Sequence, residues 1–130
     1  DKGAKLLAGG SECLSETSLK PTLVTNVSRD TRIFDEEDSG PSATVYVAED
    51  DDDAIAKAND SAYGLNAVVH SASWEHAFNV VKQLEHSQMH INNVTCTDSV
   101  GAPICGVKRS GWGQSNSTWG INEFSIEKAV

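Results

Sequence analysis

The sequence predicts an α/β fold with a parallel βαβαβ core, and two observations carry that prediction. Between Ala43 and Asn92, β-rich runs alternate with helical segments across short connections. The second of those helices also has a clear amphipathic stripe, with Trp74, Ala77, Phe78, Val81 and Leu84 at helical spacing. Strands separated by single helices pair in parallel through right-handed crossovers.

The elements follow in order. Lys5 to Ala8 is a short apolar run closed by Gly9-Gly10, which reads as a strand ending in a turn. Ser11 to Lys20 is polar and without period, and reads as a loop. Pro21 to Val27 is rich in β-branched residues and reads as a strand with Pro21 at its start. Arg32 to Asp38 fits one helical turn, stopped by Ser39-Gly40-Pro41. Ala43 to Ala48 is a strand. Asp50 to Asn59 is a helix with Ala54, Ile55 and Ala58 on one face. Asn66 to His70 is a strand, Ser73 to Glu85 the amphipathic helix, and Gln88 to Asn92 the third strand of the core. Beyond Asn93 the chain becomes a glycine- and serine-rich loop, and Asn122 to Ile126 reads as a terminal strand.

Length and composition bound the function. With 130 residues the chain is expected to be a single domain. An apolar fraction of 38% and a charged fraction of 22% fit a soluble globular protein. Nineteen acidic residues against 10 basic ones give a net charge of −9, which argues against nucleic acid and against anionic membrane surfaces. No apolar run approaches the length of a membrane span. Three cysteines, Cys13, Cys96 and Cys105, are too few for a disulfide framework, so the expected compartment is cytoplasmic. A parallel sheet needs helices on both faces, and two helices cannot cover it. The chain is therefore expected to dimerise or to belong to a larger protein.

Candidate chemistry is sparse. Glu49 to Asp53 reads as an acid-rich helix start, where carboxylates favour the positive end of the dipole, rather than as a cation loop. His70, His76, His86 and His90 lack the spacing of structural metal sites, and no metal is expected. Cys13 sits beside Glu12, which disfavours the thiolate. Cys96 and Cys105 bracket the loop after the third core strand, at the carboxyl edge of the sheet where ligands bind. Cys105 has Lys108 and Arg109 close behind it, making it the better nucleophile candidate. No glycine fingerprint for a dinucleotide follows any strand.

Several motifs in order are familiar: Glu36-Glu37-x-x-Gly40-Pro41, Ala58-Asn59-Asp60-Ser61-x-Tyr63-Gly64-Leu65, Ile91-Asn92, and Gly106-Val107-Lys108-Arg109-Ser110-Gly111. Together they resemble the aldehyde dehydrogenase superfamily, over the C-terminal part of its catalytic domain. The resemblance implies oxidation of aldehydes with NAD(P), by a cysteine nucleophile and a glutamate base that lie upstream of these motifs in such enzymes. None of the three cysteines here occupies the nucleophile's motif. Glu37 matches the glutamate that binds the nicotinamide ribose, a contact expected here to be vestigial. Ser39 stands where the family has a phenylalanine near the nicotinamide. The family's Pro-Phe-Gly-Gly turn by the aldehyde tunnel reads Pro103-Ile104-Cys105-Gly106.

Two functional expectations follow. In the first, the chain is a stand-alone, repurposed domain without dehydrogenase activity. It binds a small organic molecule through Asn92, Asn93, Cys96, Ile104 and Trp112, and supports a cofactor-independent cyclisation or isomerisation with Asp98 and Cys105 as its catalytic residues. In the second, it is part of an NAD(P)-dependent aldehyde dehydrogenase and uses that cofactor only in the complete enzyme. A non-catalytic interaction module is the remaining alternative.

Overall fold

A computed structural model describes residues 2–130. The chain forms two compact units, one ending at Ala48 and the other running from Glu49 to Val130. The α/β class expected from the sequence is the class observed, with strands and helices in both units.

In the first unit, β1 (Lys5–Ala8), β4 (Thr22–Thr25) and β5 (Ser42–Thr44) form a three-stranded sheet with β4 in the middle. β1 runs antiparallel to β4, with Lys5 opposite Thr25, and β5 runs parallel to it, with Leu23 opposite Ala43. The chain turns after β1 at Gly9, whose φ is +79°. A Cβ there would fall on the Pro21 carbonyl oxygen, so only glycine fits. The segment expected as a loop, Ser11 to Lys20, instead carries a small hairpin, β2 (Cys13–Ser15) with β3 (Ser18–Leu19). The Lys20–Glu12 ion pair at 2.9 Å and the Lys20 N–H on the Glu12 carbonyl close its base. These are contacts between strand ends that composition does not announce. The single helical turn is shorter than expected, α1 (Arg32–Asp35).

The second unit begins with α2 (Asp51–Asn59), where the Asp50 side chain accepts from the Asp53 N–H at 2.9 Å as the N-cap. The run of acids is thus a helix start, as its sequence suggests. β7 (Asn66–Val69), α3 (Trp74–Val81) and β8 (Gln88–Ile91) make a closed parallel βαβ unit, with Asn66 opposite Gln88 and Val69 opposite Ile91. Ser73 caps α3 by accepting from the His76 N–H at 3.2 Å. The expected parallel core is realised by this one unit, because β5 takes its ladder from β4 rather than from β7. Short two-residue strands complete the second unit. β6 (Tyr63–Gly64) pairs with β10 (Val107–Lys108), and β9 (Ile104–Cys105) pairs with β11 (Gln114–Ser115).

The expected terminal strand is absent: α4 (Ser117–Glu123) takes its first two residues, and Phe124 to Ile126 form neither helix nor strand. The reason is local: the Asn116 side chain accepts from the Ser117 N–H, and the Gly120 N–H reaches the Asn116 carbonyl at 2.9 Å, which starts a helix. Among the described residues no helix is long and apolar enough to cross a membrane.

Burial is sparse. Val27 in the first unit and Ala77 in the second are the buried apolar side chains among the described residues. Trp74, Phe78, Trp112, Phe124 and Ile126 are exposed. Two separate compact bodies of these sizes would expose about 8,000 Å². The chain exposes 9632 Å².

Candidate functional site

Two cavities open beside the loop that follows β8. The larger, about 510 Å³, is walled by Ile104, Cys105, Ser110, Trp112 and Phe124. Its floor comes from β9 and β11, and its side from the turn between Gly106 and Gly111. That turn folds back on itself tightly: a Cβ on Gly106 would lie 2.5 Å from the Ser110 carbonyl carbon. The Ser110 hydroxyl accepts from the Gly64 N–H at 2.9 Å and ties the turn to β6. Trp112 forms part of the wall yet is fully exposed, so one side of this cavity is open.

The smaller cavity, about 360 Å³, is walled by Gln88, His90, Asn93, Asp98 and neighbouring residues of the loop. Gln88 and His90 point to one face of β8 by strand alternation. Gln88 Nε2 and His90 Nε2 are both sealed from solvent without a hydrogen-bond partner.

The site residues expected from the sequence therefore fall into groups. Ile104, Cys105 and Trp112 meet in the larger cavity, and Asn93 and Asp98 meet in the smaller one. Asn92 faces elsewhere. Its carboxamide accepts from the Ser71 N–H and donates to the Ser71 carbonyl, both at 2.8 Å, with a backbone φ of +54°. That pair of hydrogen bonds is a clasp between the ends of β7 and β8. Cys96 is exposed and lines neither cavity.

Glu37 belongs to the first unit, beside a cavity of about 180 Å³ walled by Arg32, Ile33, Glu36 and Asp38. The structure separates the two adjacent glutamates. Glu36 accepts two hydrogen bonds from the Arg32 guanidinium, at 2.6 and 2.7 Å. Those bonds hold its carboxyl below the usual range and raise the arginine. Glu37 is exposed and makes no such pair. Among the described residues, no three His, Cys, Asp or Glu side chains gather in a way that could hold a metal ion.

Comparison with known proteins gives these cavities a context. The model of the aldehyde dehydrogenase family matches residues 1–130. The chain belongs to that family. It is 40% identical to the succinate-semialdehyde dehydrogenase [NADP(+)] of Deinococcus radiodurans, an alignment covering 100% of this chain and 27% of that protein. It is 36% identical to a salicylaldehyde dehydrogenase of Pseudomonas putida, covering 96% of this chain and 26% of the relative. Its fold superposes on betaine aldehyde dehydrogenase from Staphylococcus aureus, in complex with NAD+, with a TM-score of 0.87. There the identity is 33%, over 97% of this chain and 26% of that one. A succinic semialdehyde dehydrogenase from Streptococcus pyogenes, in complex with NADP+, gives a TM-score of 0.85 at 33% identity, over 94% of this chain and 27% of that one. The chain thus spans about a quarter of the length of the curated relatives it matches.

Sequence reading alone did not find the residues that hold the larger cavity's wall. Asn59, Ser110 and the side chain of Lys108 lie inside familiar motifs, but their work is hydrogen bonding to distant backbone atoms, which spacing does not disclose.

Proposed function

We propose that the chain supplies the aldehyde-side wall of an NAD(P)-dependent aldehyde dehydrogenase and acts in oxidation only together with the rest of such an enzyme. The observation that carries this reading is the larger cavity, which is open on one side with Trp112 fully exposed at its edge. A pocket with a missing wall, in a chain that buries so little apolar surface, fits a segment completed by further protein. Glu37 is the residue suited to the cofactor, as an acceptor for the hydroxyls of the nicotinamide ribose. The bound nicotinamide would supply the hydride acceptor. Ile104, Cys105 and Trp112 would shape the space for the aldehyde.

The stand-alone reading is less well supported. Asp98 and Cys105 line different cavities, which leaves a cofactor-independent cyclisation or isomerisation without a paired acid–base site. A homodimer remains the way such a stand-alone domain would cover its open face.

The test is complementation. The chain is co-expressed with the Deinococcus radiodurans relative from which the matching quarter has been removed, and NADPH formation from succinate semialdehyde is followed. The reading expects oxidation to return in the pair and not in either part. Glu37→Gln in that pair should weaken NADP+ binding about tenfold, the loss of a charge-assisted hydrogen bond. A stable dimer of the chain that binds small aldehydes but never restores oxidation would favour the stand-alone domain instead.

A further inference from the structure

A cation beside the larger cavity draws three segments of the second unit together. Lys108 sits on β10 with a φ of +54°, and its Nζ donates to the Asn59 carbonyl at 2.8 Å and to the Ser61 carbonyl at 3.2 Å. The same Nζ lies 2.9 Å from Glu85 Oε2. An ammonium has three protons, and here each has an acceptor. Asn59 is the last residue of α2, so the cation also meets the negative end of that helix. The Asn59 side chain continues the network. Its Nδ2 donates to the Gln83 carbonyl at 2.9 Å, and its Oδ1 accepts from the Glu85 N–H at 2.8 Å.

An ordinary surface ion pair would leave both groups well hydrated and contribute little. Glu85 is 62% exposed, but the Lys108 side chain is 24% exposed and two of its three partners are backbone carbonyls. It therefore fixes backbone to backbone. The part it holds is the turn that walls the larger cavity: the Arg109 N–H bonds the Ala62 carbonyl at 2.8 Å, and the Ser110 N–H bonds Val107 at 3.1 Å. Gly106, Ser110, Gly111 and Trp112 of the same stretch line the cavity.

We propose that Lys108, seated by Asn59 and Glu85, is a positioning residue that sets the wall of the Cys105–Trp112 cavity. What occupies that cavity rests on the dehydrogenase reading, whereas the order of its wall does not.

The test is made on the full chain with Lys108→Met, reading amide exchange residue by residue and alkylation of Cys105 by iodoacetamide peptide by peptide. Exchange at Arg109 and Ser110 and labelling of Cys105 should each rise about tenfold or more, while the Gln88 and Asn92 amides of the βαβ unit keep their rates. Lys108→Arg, which keeps charge and donors, should return all three to within about threefold of the parent. Equal rates in parent and Lys108→Met, or a rise spread evenly over the whole unit, would overturn the assignment. If Lys108→Met fails to fold, Glu85→Ala removes one partner of three and should give a smaller rise, about threefold, confined to the same sites. Its absence would equally overturn the proposal. Neither readout needs aldehyde or nucleotide, so a chain that loosens locally but never restores oxidation keeps Lys108 in this role and removes only the dehydrogenase reading.

Discussion

The β7–α3–β8 unit and the stretch from Asn93 to Val130 hold themselves together by different means. The first is built on repeating pattern. α3 lies over β7 and β8 with Ala77 fully buried, four consecutive residues of each strand stay in register, and Asn92 clasps Ser71 at the end. The second has strands of two residues and a seven-residue helix, and it is fastened by point contacts from side chain to backbone. Asn116 donates to the Ser99 and Ala102 carbonyls at 2.8 and 3.0 Å, Ser110 receives Gly64, and the Ser87 hydroxyl donates to the Cys105 carbonyl. Repetition spreads stability over many weak contacts, whereas point fastening concentrates it in a few replaceable atoms.

The largest expected effect tests the patterned region. Ala77→Asp places a carboxylate where no side-chain atom reaches water, a cost of about 3–5 kcal/mol. Amide protection across β7, α3 and β8 should be lost as a block, because they share one interface. Protection that disappears from α3 while β7 and β8 keep theirs would show that the strands do not depend on the helix, and the contrast between the regions would fail.

A smaller effect tests the fastened region. Gly106→Ala drives a Cβ to 2.5 Å from the Ser110 carbonyl carbon and 2.7 Å from the Gly111 nitrogen, both backbone atoms that cannot swing aside. The cost is about 1–3 kcal/mol, as for overpacking elsewhere. It should appear as faster exchange from Val107 to Gly111, with the amides of β7 and β8 unchanged. Loss of protection in both regions together would mean that they fold as one cooperative body and that the division is only geometric.

This contrast also governs what could be read from the sequence. The α3 stripe, the acid-rich start of α2 and the strands at β1, β4, β7 and β8 were legible because periodicity and helix-end charge act within a few residues. The Cys13–Leu19 hairpin was not, since its base is closed by Lys20 reaching back to Glu12. α4 was not legible either, because Asn116 starts it by a cap that the apolar residues Phe124 and Ile126 masked as a strand signal. For the site, motif resemblance brought attention to Glu37, Ile104 and Cys105, and side-chain geometry then distinguished Glu37 from its neighbour Glu36. The placement of Asp98 away from the Cys105 cavity depends on the course of an irregular loop. No local pattern encodes that course.

The smallest effect is a pH dependence confined to the fastened region. His86 lies between Glu85 and Ser87, and its Nδ1 is buried without a partner. Burial, and secondarily the Lys108 cation, push its pKa below the usual 6.5, with Glu85 opposing them. A histidine whose folded pKa is depressed binds its proton more readily when unfolded. Its neutral form therefore favours the fold fully above about pH 6.5, and that contribution is lost as pH falls through the lower folded value. The carboxylates held low by hydrogen bonds, Asp30, Glu36 and Asp53, begin to lose their contribution only at more acidic pH, and the chain's other three histidines are separated from this one by His86→Gln. Protonation there also places a second cation near Lys108, in direct competition for Glu85. On lowering the pH to 5, Arg109 and Ser110 should exchange faster relative to Gln88 and Asn92 than the intrinsic chemistry of exchange allows, and His86→Gln should abolish the difference. An equal response in both regions, or one that survives His86→Gln, would place the acid sensitivity somewhere other than the Lys108 network.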